Sequence, residues 1–316
     1  MASDRPTFAD LTLTQEIRGY ALDEGMDLVG VAPVGRLADL QPGFRPTEYM
    51  PDAKCVVSIV CALADGMCDV WGTYEEEGKT ILPLGYYGVG SANWELARVA
   101  NGVARLIERA GHRSIPFPPH WSVSHYRELT TAPAGWMLPR VNVPIQQDFP
   151  HIQAAVAAGL GQIGWNGLLL TPDFGARQRL TSVLTDAPLV NDALYAGPAL
   201  CQPERCGHAC VATCPAGALS SSEIAAVTVA GHTHLVGKLD GVRCQYGLDG
   251  LVRGSGGRTR VEIPPGPGDP AVYDAAMALR RPEDTGTHGS QRGLLTGNFC
   301  ERCLVHCPAH TWRVDR

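Results

Sequence analysis

Eight cysteines follow residue 200: Cys201, Cys206, Cys210, Cys214, Cys244, Cys300, Cys303 and Cys307. Clustered thiolates are soft ligands that select iron–sulfur clusters or zinc. The eight contain a short repeat, in which Cys206-x3-Cys210-x3-Cys214-Pro215-Ala216 is echoed by Cys300-x2-Cys303-x3-Cys307-Pro308-Ala309. A tight run closed by Cys-Pro marks bacterial-type [4Fe–4S] binding, and the Cys of Cys-Pro there serves the other cluster. Four thiolates per cubane make eight cysteines fit two clusters. That rule assigns Cys201, Cys206, Cys210 and Cys307 to one and Cys214, Cys244, Cys300 and Cys303 to the second. The first run is spaced 4, 3 and 3 residues, wider than the bacterial run of about 2, 2 and 3. Cys244 lies 55 intervening residues before Cys300. Structural zinc competes, because tetrahedral Cys₄ sites accept varied spacing, but zinc leaves two Cys-Pro endings unexplained. His208 and His306, inside the motifs, are expected to shape the surroundings of a cluster and not to bind iron.

These thiols must be positioned by regular elements. Residues 1–195 read as one α/β unit and residues 196–316 as a second, cysteine-rich one. Thr14 to Gly25 has the helical period and a glycine stop. Asp27 to Pro33 and Cys55 to Leu63 are continuous apolar runs, the pattern of strands covered on both faces. Cys55 and Cys61 belong to the second run and read as small apolar core residues. Ser91 is expected to cap a long helix reaching Ala110, with Gly111 ending it. His151 to Ala158 reads as a further helix, and Gly167 to Thr171 and Leu180 to Thr185 as strands. Gly159-Leu160-Gly161-Gln162-Ile163-Gly164 matches G-x-G-x-x-G, with Asp186 placed 22 residues later. A dinucleotide fingerprint needs a strand before the glycines and a helix after them. Here the order is reversed, which argues against it. The Gly/Pro-rich stretch 254–270 is either a mobile insertion or a substrate-facing loop.

Composition narrows the partners. The chain has 316 residues, 45% hydrophobic and 18% charged, enough to bury a core of two-domain size. Its formal charge of −6 is unfavourable for a phosphate backbone, whose binding rests on Lys and Arg. No basic n-region, twin-arginine pair or apolar run of spanning length stands out. The expected location is the reducing cytoplasm, with no membrane, where clustered cysteines are metal ligands before they are disulfides.

The run from Asp148-Phe149-Pro150-His151 through Gly159-Leu160-Gly161-Gln162-Ile163-Gly164-Trp165-Asn166-Gly167 to Asp173-Phe174-Gly175 resembles the central segment of epoxyqueuosine reductases. Arg179-Leu180 to Leu189, Asp27 to Pro33 and Pro51 to Lys54 continue the likeness, and reductive dehalogenases share the same core. The resemblance implies an α+β chain: a nitroreductase-like cobalamin-binding module over 1–195, then a ferredoxin-like domain over 196–316 with two [4Fe–4S] clusters. It implies a reductase in which electrons from an external donor, such as a ferredoxin or flavodoxin, pass through both clusters and reduce cobalamin to Co(I). Gly159, Gly161, Gly164 and Gly167 would allow close approach of a large planar cofactor, and Arg179, with Arg177, would meet its polar groups. Flavin or an empty pocket remain alternatives to cobalamin.

A reductive cleavage needs a proton donor. Tyr86 and Tyr87 stand where the family has a Tyr-rich turn. Asp148 is the acid nearest the family's catalytic Asp, whose own place aligns with Ile145. His120, His125 and His151 flank the same region. The chain ends nine residues after Cys307, where epoxyqueuosine reductases carry helical repeats that hold transfer RNA. A small molecule is therefore the expected substrate. An electron-transfer or corrinoid-handling protein, and an epoxyqueuosine reductase acting on tRNA, are the alternatives.

Overall fold

The computed structural model describes residues 9–70, 83–119, 149–255, 259–279 and 300–312. In chain order the first part comprises α1 (Leu11–Asp23), β1 (Leu28–Pro33), α2 (Pro46–Tyr49), β2 (Cys55–Ala62) and α3 (Asp65–Asp69). A π-helical segment (Leu84–Ser91), α4 (Ala92–Arg109), β3 (Ser114–Pro116), α5 (His151–Ala157), β4 (Gln162–Ile163), β5 (Leu169–Leu170) and β6 (Gln178–Thr185) follow. The cysteine-rich part contains α6 (Pro203–Cys206), α7 (Ala209–Ala212), β7 (Leu219–Val229), β8 (His232–Leu239), α8 (Gly241–Leu248), α9 (Pro270–Ala278) and α10 (Arg302–Val305).

The main sheet has the order β1-β2-β6-β3, and every neighbouring pair is antiparallel. Its central strand explains the unbroken apolar run. Side chains alternate across a strand, so Val56 and Val60 join Ile152, Ala154 and Ala155 of α5 in one buried cluster. Val57 and Ile59 join Leu96, Val99 and Val103 of α4 in another. Both faces are covered.

The helices form for local reasons that the sequence carries. Asp10 caps α1 by accepting from the Leu13 N–H at 2.8 Å, and Gly25 leaves its end at φ +90°. The period of α4 and its Gly111 stop are as expected, but Ser91 is not its cap. The chain enters α4 already helical, through the π-helical segment, so the first-turn N–H groups face carbonyls and Ser91 has helical backbone angles. Its hydroxyl turns to Glu95 instead, at 3.4 Å.

The glycine-rich stretch connects α5 to the small β4–β5 hairpin. The helix precedes the glycines and a strand follows, so the dinucleotide arrangement is absent here. Asp186, the acid of that pattern, binds the Arg113 backbone and side chain. Hydrophobic packing continues across residue 195: Val227, Val236, Tyr246 and Tyr273 lie in the same buried cluster as Val56 and Ala154. The described part of 254–270 lies against α8, with Arg243 donating to the Pro264 and Gly266 carbonyls at 3.1 and 2.8 Å. Among the described residues no helix is long and apolar enough to cross a membrane.

Candidate functional site

The repeat seen in the cysteine spacing recurs in the backbone. His208 and Glu301 each adopt a left-handed conformation at φ 52°, and each opens a one-turn helix, α7 or α10, two residues before Cys210 or Cys303. Each helix then leads into Cys-Pro-Ala. Left-handed angles are rare outside glycine and stand out where a site over-determines them.

Cys201, Cys206, Cys210 and Cys307 line one cavity, together with Trp165, His208 and Trp312. The Trp165 backbone N–H donates to the Cys201 sulfur at 3.1 Å. Burial, followed by the neighbouring thiols, pushes Cys210 up to about 12, and burial pushes Cys307 up to about 11 against a backbone N–H from Ala309. Trp312, which lines the cavity, carries the Arg205 guanidinium over its ring, 4.5 Å from the centroid.

Cys214, Cys244, Cys300 and Cys303 form the second group. Burial and then mutual repulsion raise Cys244 and Cys303 well above the ordinary thiol range, with Cys214 and Cys300 named among the repelling neighbours of both. Cys300 is pushed up to about 12, chiefly by burial. The Ala218 N–H donates to the Cys214 sulfur at 3.2 Å. Gly247 of α8 has room for no side chain beyond ordinary contact, since a Cβ there would stand 3.3 Å from the Cys300 sulfur.

The donor set fits the group that the spacing implies. Each cubane takes four thiolates whose sulfurs accept hydrogen bonds, and here eight thiols divide four and four with backbone N–H groups aimed at several of them. Among the described residues no three His, Cys, Asp or Glu side chains converge on a place for a single ion. Beside these thiols, His208 Nδ1 and His306 Nε2 are buried with no hydrogen-bond partner among the described residues.

Arg179, expected to meet a cofactor, is held by the chain. Its Nε donates to the Gly88 carbonyl at 2.9 Å and its Nη2 stands 2.8 Å from Glu301. It thereby joins the turn that carries Tyr86 and Tyr87 to the residue beside Cys300. The two tyrosine rings meet edge-on at 4.9 Å, and Tyr87 is 62% exposed. Arg177 is bound by Asp65 and Asp69 and donates to the Val305 carbonyl. The close approach that the glycines permit is made by the chain's own backbone. A Cβ on Gly159 would fall 1.9 Å from the Ala193 oxygen, and one on Gly161 equally close to the Leu170 oxygen. Gly164 is crowded by Asn166 and Leu170, and Gly167 takes φ +74° to turn the hairpin. His151 is buried between Ser182 and the Pro118 carbonyl. Asp148, His120, His125 and Ile145 lie outside the described residues.

Three contributors were not singled out from the sequence: Glu301, Trp312, and Asn166, whose amide donates to the Cys303 carbonyl at 2.9 Å. Their only signal was proximity to a cysteine or to the glycine run.

No protein-family model and no curated protein matches the sequence. Solved structures do match. A reductive dehalogenase whose structure suggests a mechanism for B12-dependent dehalogenation is similar with a TM-score of 0.51 at 16% identity, over 96% of this chain and 39% of that one. The catabolic reductive dehalogenase NpRdhA gives 0.50 at 16% identity, over 92% and 37%. An epoxyqueuosine reductase bound to a tRNA-Tyr stem loop gives 0.48 at 15% identity, over 96% and 67%. The chain is thus a mixed α/β protein with the fold of the reductive dehalogenases, and it spans from 37% to 39% of the length of those two chains.

Proposed function

We propose that this chain is an iron–sulfur oxidoreductase that works with cobalamin to cleave a small organic substrate reductively. The observation that carries the reading is the gathering of eight cysteines, from three separate segments, into two sets of four along the partition expected of paired cubanes. Cobalamin rests on the fold shared with a B12-dependent dehalogenase. When bound, the clusters would supply electrons singly and the corrinoid would supply the reductant.

The protein's share is positioning and charge. Cys201, Cys206, Cys210 and Cys307 would hold one cluster, and Cys214, Cys244, Cys300 and Cys303 the other. Backbone N–H groups from Trp165 and Ala218 offset negative charge on sulfur. Arg179 fixes the Tyr86–Tyr87 turn against the second set, and a tyrosine hydroxyl there can hold the proton that a cleaved substrate requires. Asp148 is the alternative acid. A charge of −6 favours a small molecule over nucleic acid, and the donor would be an external electron carrier such as a ferredoxin or flavodoxin.

The test is an anaerobic count of iron, sulfide and cofactor, with absorption spectra before and after adding cobalamin. About eight irons per chain and a cobalamin spectrum that changes on reduction are the expected result. Iron without cobalamin binding would reduce the protein to an electron carrier. Zinc in place of iron would overturn the reading.

A further inference from the structure

His208 lines the cavity of Cys201, Cys206, Cys210 and Cys307, and its Nδ1 is buried with no hydrogen-bond partner among the described residues. A buried polar nitrogen is normally satisfied, so one on a residue that lines a cavity built of thiols asks for a partner. The ring is packed against a fixed neighbour. It stands edge-on to Trp165 at 4.7 Å between centroids, and Trp165 is itself fixed by its indole N–H on the Ser220 carbonyl and its backbone N–H on the Cys201 sulfur. The backbone adds a second observation. Gly207 and His208 are successive left-handed residues, at φ 60° and 52°, and only the second carries a side chain. A left-handed histidine directs an inference from an observed outlier toward function.

We propose that His208 sets the reduction potential of the cluster held by Cys201, Cys206, Cys210 and Cys307, by donating its Nδ1–H to a sulfur of that group. The inference rests on the iron–sulfur reading above. An N–H aimed at sulfur stabilises the form with one more negative charge, so its presence raises the potential. The second set takes backbone N–H groups on its own sulfurs, from Ala218 to Cys214 and from Arg302 to Cys300. Glu301 and Asp240 also border it, where their charge works in the opposite direction, while Arg302 beside Cys300 works with the donors. His208 thereby raises the potential of the cluster it borders and leaves the other where it is.

The experiment compares wild type, His208→Phe and His208→Asn, all full-length and reconstituted under anaerobic conditions. Iron and sulfide are counted first, and each protein is then titrated reductively while both clusters are followed by electron paramagnetic resonance. With iron equal in all three, one of the two reduction steps should move to more negative potential in the phenylalanine variant. It should return toward wild type in the asparagine variant, which keeps an N–H, while the other step stays in place. Coincident steps in the phenylalanine variant and wild type would overturn the proposal. Should that variant lose iron, pulsed resonance on ¹⁵N-histidine-labelled protein decides. A nitrogen coupling in wild type that is lost in His208→Asn upholds the donor, and no coupling in wild type removes it. Zinc in the wild-type count removes the functional reading itself, before any variant is compared.

Discussion

A thiol surrounded by three others is a poor place for negative charge unless a cation compensates it. Burial already pushes Cys210 and Cys300 up to about 12, so four thiolates in either group demand a bound metal centre. Because the groups are separate, each should fail alone. Cys210→Ala should lower the iron content from about eight to about four per chain, and Cys300→Ala should do the same while sparing the first group. Cys61→Ala, in the core strand β2, should leave iron unchanged, and a metal count on the three proteins checks this. His151 offers a different residue-scale test. It is 1% exposed, with Ser182 Oγ at 2.8 Å from Nδ1 and the Pro118 carbonyl at 3.0 Å from Nε2, so the neutral ring is satisfied. Burial lowers its pKa to about 4, while the unfolded chain holds its proton up to about 6.5. Between those values the unfolded state binds the extra proton, so stability falls as pH falls through this window. At about 1.4 kcal/mol per unit the loss approaches about 3 kcal/mol. His151→Gln should remove this slope, read as the difference in denaturation midpoint between variant and wild type at pH 7 and pH 4.5.

At the scale of elements, the glycines between α5 and β5 carry a specific expectation. Gly161 stands against the Leu170 carbonyl, where a Cβ would come within 1.9 Å of the oxygen, and backbone cannot yield as a flexible side chain can. Gly161→Ala should therefore destabilise the fold by roughly 1–3 kcal/mol or more, with a lower Tm in protein free of cofactor. Weakened cofactor binding with Tm unchanged would instead return this glycine to the cofactor. The Arg179–Glu301 pair links three elements, and its side chains are only 15% and 13% exposed. Removing one partner of a buried pair strands the other charge, at about 3–5 kcal/mol. Arg179→Met should show that loss in Tm, and the further change Glu301→Met should recover most of it. Neither tie was legible in the sequence, because Arg179 and Glu301 are far apart along the chain and nothing local marks a long-range ion pair. What was legible is what local rules govern. Gly25 and Gly111 end their helices, α4 keeps its apolar face, and the reversed order around Gly159 and Gly164 argued against a dinucleotide site. Ser91 was misread because a serine before an apolar period looks like a cap whether or not the preceding residues are already helical.

At the scale of the whole molecule, the expected partition of the cysteines comes from the Cys-Pro ending, which ties each run to the other group, a non-local statement written in a local motif. Strand pairing carried no such mark. That β2 pairs with both β1 and β6, and that β6 also takes β3, follows from packing and from no short pattern. The same packing divides the protein by what depends on metal. The faces of β2 are covered by α4 and α5, which need no ligand to be buried. Segments 201–214, α8 and α10 are short, and four-residue helices cannot persist alone in water. They meet around thiols that repel one another when ionised, so metal bound there, as proposed, would supply part of their folding free energy. Removing iron with a chelator under mild oxidation should therefore raise amide hydrogen exchange in α6, α7, α8 and α10. Exchange in β2, β6 and α4 should stay near that of the loaded protein, as expected of units with unequal local stability. Hydrogen exchange read by mass spectrometry with and without iron measures this directly. Equal protection of α7 and α10 in both states would mean that the thiol groups are held by packing alone, and uniform loss of protection would mean that the sheet depends on the metal as much as the cysteine turns do.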